Sequence, residues 1–428
     1  MTQQPNRNIA PEIESIQSVK ILEPTIYTLS NGVPVAVFDS PNQDLLKIDV
    51  VFEAGTKASQ KPWIANTVNN MLTEVTKNYS ATALAEEIDF YGAYFDTHAA
   101  RDFASVSLYS LNGFLENTLP LLAEVIQNAS FNQEELEDYK LRKKQEFKVN
   151  SEKVSFLARQ VFTSLLFGKD HPYGKYSKLE DIDLITRQDL IDFHQKYYVS
   201  SSFKIYVAGK FGQNELDLLN KYMGSMAAIQ LELNDQIDWT INESSEKKTH
   251  ISKENAVQNA LRLGLVTVHK NHPDYFGMKI LTTILGGYFG SRLMNNIRED
   301  KGYTYGIGSS LSSFQNETVF FISTEVNSDV SQLAIEEILK EIKILQTELI
   351  DDNELLIVKN YLQGSFQRSF DGTFNLLDRF KEVDLNQADY SYYQNYISKV
   401  KTIDALELRK LAQKHLQLDK IFLLSVGN

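Results

Sequence analysis

The sequence predicts an α+β protein of two homologous domains, each an antiparallel sheet with helices packed mainly on one face. Three observations point there. The same order of strand-like and helix-like stretches runs through both halves. Strands and helices do not alternate one for one, as a parallel βαβ sheet would require. A polar stretch, NDQIDWTINESSEKKTH at 234–250, separates the halves and reads as a linker. The expected parts are a flexible arm at 1–16, an N-terminal domain at 17–233, the linker, and a C-terminal domain at 251–428.

Taken in order, LLKIDVVFEAGT (45–56) and NALRLGLVTV (259–268) alternate like half-buried strands and open the two halves. A helix follows each. Further strand patterns come at 102–111, DFASVSLYSL, and 317–326, ETVFFISTEV. Amphipathic helices follow at 113–129 and 328–345, then long helices at 132–149 and 351–368. Each half closes with a helix and an apolar strand, at 186–211 and 402–428. The starts TRQD and TIDA offer Thr186 and Thr402 as N-caps.

Composition narrows the function. The chain has 428 residues and is 43% apolar, enough for a large core. Lys+Arg is 43 and Asp+Glu is 56, a net charge of −13, and no basic patch stands out, which argues against nucleic acid as a partner. With no cysteine, thiol catalysis and thiolate metal sites are excluded. No signal-peptide core and no apolar run of membrane-spanning length is present, so the expectation is a soluble cytoplasmic protein with no membrane partner.

Seven histidines offer no helical pair four residues apart. His269 and His272, in HKNH before Pro273, read better as a solvated loop than as metal ligands. The glycines of LGGYFGSRL (285–293) lack the ending of a phosphate-binding loop and read as close packing or a bend. The helix pattern KPWIANTVNNMLTEVT (61–76) is odd. Its polar face carries Asn66, Asn69 and Asn70, where Glu or Lys would favour helix more.

From about Ile26 onward the chain resembles the inverted-motif zinc peptidases, the family of pitrilysin, insulin-degrading enzyme and the mitochondrial processing peptidase, and especially its short two-domain bacterial members. The stretches that carry the likeness are 52–108, LFGKDHPYGKYSKLEDIDLITRQDLIDFHQKYY at 166–198, and LGGYFGSRLMNNIREDKGYTYGIGSS at 285–310. Active members carry His-x-x-Glu-His on the first helix, two zinc ligands around a general base. The resemblance places those positions at Asn66, Asn69 and Asn70, all changed. The third family ligand, a Glu, falls by register at Glu146, read here as a partly exposed helix carboxylate. Neutral amides are poor zinc ligands beside imidazole, and an amide cannot take a proton from water near neutral pH. The chain is therefore expected to bind no metal and to be inactive alone.

The family also uses an Arg and a Tyr, seven residues apart, that contact substrate opposite the zinc. IREDKGYTY supplies Arg298 and Tyr305 at that spacing, with Tyr303 as a neighbour to be told apart. The plain alternative is that Arg298 pairs with Glu299 or Asp300 and Tyr305 merely packs.

The resemblance thus implies a non-catalytic subunit. A zinc-bearing paralogous partner would hold metal and base, and this chain would supply Arg298 and Tyr305 in trans to an unfolded peptide. Such a peptide would add as a strand to a sheet edge, for which residues 95–100 are the counterpart here. Self-association as a homodimer is the expectation when the partner is absent. The competing reading is a structural or peptide-binding protein that hydrolyses nothing. A different metal arrangement, His98 with Glu146, is disfavoured because His98 lies on a predicted strand.

Overall fold

The computed structural model describes residues 21–229 and 239–428. The arm expected at 1–16 and residues 234–238 of the expected linker lie outside them.

In the first half the elements are β1 (Thr25–Thr28), β2 (Pro34–Asp39), β3 (Leu45–Phe52), α1 (Ile64–Met71), α2 (Ala81–Phe90), β4 (Tyr94–Ala99), β5 (Ala104–Leu111), α3 (Leu115–Gln127), α4 (Gln133–Ser151), α5 (Val154–Phe167), α6 (Arg187–His194), β6 (Phe203–Gly209) and α7 (Gln213–Met223). In the second they are β7 (Lys248–Ser252), β8 (Gln258–Thr267), α8 (Tyr275–Thr282), β9 (Thr304–Ser313), β10 (Thr318–Asn327), α9 (Ser331–Thr347), α10 (Asp352–Arg368), α11 (Thr373–Asp384), α12 (Ser391–Thr402), α13 (Ala405–His415) and β11 (Phe422–Gly427). Strand β7 begins at Lys248, inside the stretch expected as linker.

Among the described residues the strands form two sheets, ordered β1-β2-β6-β3-β5-β4 and β7-β11-β8-β10-β9. Both are antiparallel except for one pair each, β2 with β6 and β11 with β7. The sequence pattern led to an antiparallel sheet in each half, and every described strand pair but these two is antiparallel. The closing strand of each half instead returns across the helical layer and runs parallel to its outer neighbour.

The pleat explains the packing. On β3, Leu46, Ile48, Val50 and Phe52 face the main helical layer, where Ile64, Val68 and Met71 of α1 and Leu119 and Leu122 of α3 are buried. Val51 faces the other way, onto Leu377 of α11. On β8, Leu261, Leu263 and Leu265 face α8, α9 and their neighbours, while Ala260 and Val266 face α5. Helices therefore do not cover one face alone. The second face of each sheet is closed by a helix lent from the other half.

Ions follow the same exchange. Asp49 on β3 is fully buried and meets Lys47 at 3.4 Å and Lys381 of α11 at 2.5 Å, while Tyr206 on β6 donates to Asp384 at 2.6 Å. A buried carboxylate needs such partners. Thr186 caps α6 in a capping box with Asp189, as the sequence suggested. The cap of α13 is Asp404 rather than Thr402, because Thr402 is still the last residue of α12.

Candidate functional site

The three asparagines come first. Helix α1 is shorter than the 61–76 pattern and follows Trp63, whose φ of 69° turns the chain into it. Asn69 does not lie on an exposed polar face. It is fully buried, and its Nδ2 donates to the Ser105 carbonyl at 3.2 Å and the Tyr198 hydroxyl at 3.1 Å. Asn70 donates to the Tyr139 hydroxyl on α4 at 3.0 Å, and Asn66 to the Ala99 carbonyl at 3.3 Å. Burial raises the pKa of both phenols, so each stays a neutral hydrogen-bonding group at ordinary pH.

Each amide side chain is thus committed to the fold. Glu146 lies on α4, 57% exposed, and pairs with Lys143 at 2.8 Å. Among the described residues, no group of three His, Asp or Glu side chains is arranged to hold a metal ion. The donors at the zinc-motif positions do not fit zinc: amides already engaged, with no imidazole beside them. His98, on β4, pairs across to Ser105.

Strand β4 is an edge. It bonds β5 on one side and leaves the other open, and Asn66 holds its last residue, Ala99. A cleft of 350 Å³ runs beside it, lined by Lys61, Trp63, Asn66, Ala99, Arg101 and Arg159 among others.

Arg298 and Tyr305 meet in the second half. Arg298 lies in the last turn of a π-helical segment, Met294–Asp300, and Tyr305 is the second residue of edge strand β9. Arg298 Nε donates to the Tyr305 carbonyl at 2.9 Å, and its guanidinium lies 5.8 Å from the Tyr305 ring centroid and 4.8 Å from that of Phe289. It also pairs with Glu299, as the plainer reading held. Tyr305 itself does not pack away. It is 93% exposed, whereas Tyr303 is partly buried against the second core. Gly286 secures this strand, since a Cβ there would stand 2.6 Å from the Ser309 backbone nitrogen.

The structure does not bring the asparagines and the Arg–Tyr pair into one cleft. Tyr305 opens onto a second cleft, of 470 Å³, with Ser155, Arg262, Ser323 and Glu325. Helix α5 separates the two, because Ser155 lines one and Arg159, a turn further on, lines the other.

Sequence reading missed several partners. Tyr139 precedes Glu146 by two helical turns on α4, a spacing that could have flagged it. Tyr173, of His-Pro-Tyr-Gly, donates to Asp102 at 2.6 Å; Asp102 also accepts from the Gln315 amide of the second half at 2.9 Å and pairs with Lys57 at 3.2 Å. That motif therefore ties the loop after β4 to the β9–β10 hairpin. Nothing in the sequence singled out Asp102.

Comparison with known proteins adds descent to geometry. Residues 34–169 match the model of the insulinase family, peptidase family M16, and residues 184–362 match that of the peptidase M16 inactive domain. An uncharacterized zinc protease of Rickettsia felis is 24% identical over 374 residues, 86% of this chain and 88% of its own. An uncharacterized zinc protease of Bacillus subtilis, YmxG, is 23% identical over 91% of this chain and 94% of its own. Among solved structures, the peptidase M16 inactive domain from Pseudomonas fluorescens has a TM-score of 0.84 at 24% identity, covering 95% of this chain and 98% of that one.

Proposed function

The chain belongs to the peptidase M16 family, and from that premise we propose that it is the non-catalytic subunit of a heteromeric zinc peptidase acting on unfolded peptides in the cytoplasm. The partner is a zinc-bearing paralogue, which would supply the metal-activated water. This chain supplies Arg298 and Tyr305 in trans.

One observation carries the reading. The residues at the zinc-motif positions are locked into the fold, while Tyr305 stands almost wholly exposed beside a guanidinium held in place. An exposed phenol on an edge strand is free to meet an incoming chain. The Arg298 fork suits peptide carbonyls, and its grip on the Tyr305 backbone orders the strand before substrate arrives. The Tyr305 hydroxyl can donate to a substrate carbonyl oxygen as charge develops on it. The open edge of β4 gives an extended peptide a strand to pair with.

The test is co-expression with a paralogue that keeps His-x-x-Glu-His, followed by peptide-cleavage assays on each chain alone and on the mixture. Cleavage by the mixture only, lost with Arg298→Ala, supports the proposal. Full activity from the paralogue alone defeats it and leaves a structural or peptide-binding role. Localisation of a tagged chain outside the cytoplasm would remove that part of the proposal.

A further inference from the structure

The second face of the C-terminal sheet carries a charge that packing does not explain. Arg262 lies on β8, flanked across the ladder by Ser323 of β10 and Leu424 of β11. Its neighbours on that face, Ala260 and Val266, are packed under α5 with Val154, Ala158 and Phe162. A guanidinium in such a place ordinarily has a carboxylate within 4 Å. Among the described residues Arg262 has no such ion pair; its one close side-chain contact of note is the Phe321 ring, 5.5 Å from the guanidinium.

The charge that bears on it is of the wrong sign. Arg159 projects from α5, also without a carboxylate partner among the described residues, and stacks on Phe156 at 5.7 Å. Burial first, then the charge of Arg159, lowers the Arg262 pKa to about 10. Glu325 lines the same cleft but forms no ion pair with Arg262. Other cations near the clefts are already engaged: Lys61 pairs with Asp189 at 2.6 Å, and Arg101 donates to the Lys175 carbonyl at 2.9 Å. In a chain of net charge −13, an arginine without a carboxylate partner in the Tyr305 cleft stands out, with a second such arginine, Arg159, in the adjoining cleft one turn along α5 from Ser155.

We propose that Arg262, reinforced by the charge of Arg159 from the adjoining cleft, is an anion site that receives a carboxylate of a peptide lying in the Tyr305 cleft. Arg262, Ser155, Ser323 and Tyr305 line that one cleft, so a chain held at Tyr305 can place its carboxylate at Arg262. A guanidinium fork matches a carboxylate in two parallel hydrogen bonds, and a second cation nearby strengthens the pull. The carboxylate can be the peptide's C-terminus or an Asp or Glu side chain. This deepens the proposed function, since it rests on Tyr305 meeting peptide, and it adds a preference for acidic or C-terminal segments.

The test is binding to the full chain, followed by fluorescence anisotropy. Three labelled octapeptides of one uncharged sequence are compared: a free C-terminal acid, a C-terminal amide, and the amide with one internal Glu. The expected result is at least about tenfold tighter binding of one carboxylate peptide than of the plain amide. The winning arm identifies the source. Arg262→Gln and Arg159→Gln should each remove most of that preference while leaving amide binding unchanged; Arg262→Lys should keep part of it. Arg159 is exposed, so its variant should fold even if Arg262→Gln does not. Equal binding of all three peptides, or a preference untouched by Arg159→Gln, overturns the site but not the Arg298–Tyr305 role. No binding of any peptide overturns both.

Discussion

Asn70 donates to the hydroxyl of Tyr139 at 3.0 Å, so the position that the resemblance sets against a family zinc ligand is tied by a neutral hydrogen bond to the helix that carries Glu146. The link between α1 and α4 that a metal would make is made here by amide and phenol. The stability of the purified chain should therefore not depend on zinc. A specific ligand at a hundred times its Kd adds about 2.7 kcal/mol to folding. Thermal melts with excess zinc and with chelator should instead coincide within about a degree. A zinc-dependent rise of several degrees would contradict the donor set described.

Asn69 gives a sharper test, because it donates to an acceptor that cannot reverse its role. The Ser105 carbonyl only accepts. Asn69→Asp must keep its proton to preserve that bond, and burial also favours the neutral acid. The folded-state pKa is then raised above the unfolded value near ~3.9. The variant should match the parent best below pH 4 and lose stability relative to it as pH rises, by about 3 kcal/mol at pH 7. Urea titrations at pH 4 and pH 7 measure the difference.

His194 sets the acid limit of the parent itself. It is buried, stacks on Tyr198 at 5.8 Å, and donates through Nε2 to the Ile126 carbonyl at 2.7 Å. Burial lowers its pKa from 6.5 to about 4. The unfolded chain then binds the proton first, so stability is full above pH 6.5 and falls as pH drops toward 4. The loss across that window should be roughly 3 kcal/mol. His194→Gln keeps a donor but removes the titration, and its stability should be flatter over the same range. Equal acid limbs for parent and variant would assign the loss to other groups.

Much of this was legible before the structure. Alternation located β3, β5, β8 and β10, since one face of each strand is mainly apolar. The second faces were not legible, because Val51 on β3 and Val266 on β8 alternate correctly only if α11 and α5 cross from the opposite half. Such long-range exchange leaves no local period. At the site, the resemblance pointed to Asn66, Asn69, Asn70, Arg298 and Tyr305, but side-chain exposure did not follow from it. Asn69 turned out buried and Tyr305 almost wholly exposed because cross-strand and inter-helix contacts decide both.

Tyr305→Phe separates function from fold. The side chain is 93% exposed, so loss of its hydroxyl should leave the melting temperature unchanged within about a degree. In the proposed two-subunit peptidase, removal of one donor to a developing oxyanion should cost about 10²-fold in kcat. Tyr303→Phe, at the neighbouring packed position, should leave kcat near the parental value. Equal losses from the two would mean that spacing had been assigned to the wrong tyrosine.

Gly286 couples the two properties. An added Cβ would stand 2.6 Å from the Ser309 nitrogen and 2.8 Å from its hydroxyl oxygen, and Ser309 is itself fixed by donating to the Thr282 carbonyl at 2.8 Å. Backbone cannot yield as a flexible side-chain tip can, so Gly286→Ala must push β9 away from the turn that follows α8. Overpacking of this kind costs about 1–3 kcal/mol. Because β9 carries Tyr305, the same shift should move the phenol off the line set by Arg298 and lower activity in the mixture well below what the loss of folded protein explains. Thermal melts and cleavage rates on the same preparation measure both. A variant that loses stability but keeps full specific activity would show that Tyr305 is placed by Arg298 alone, independent of the strand beneath it.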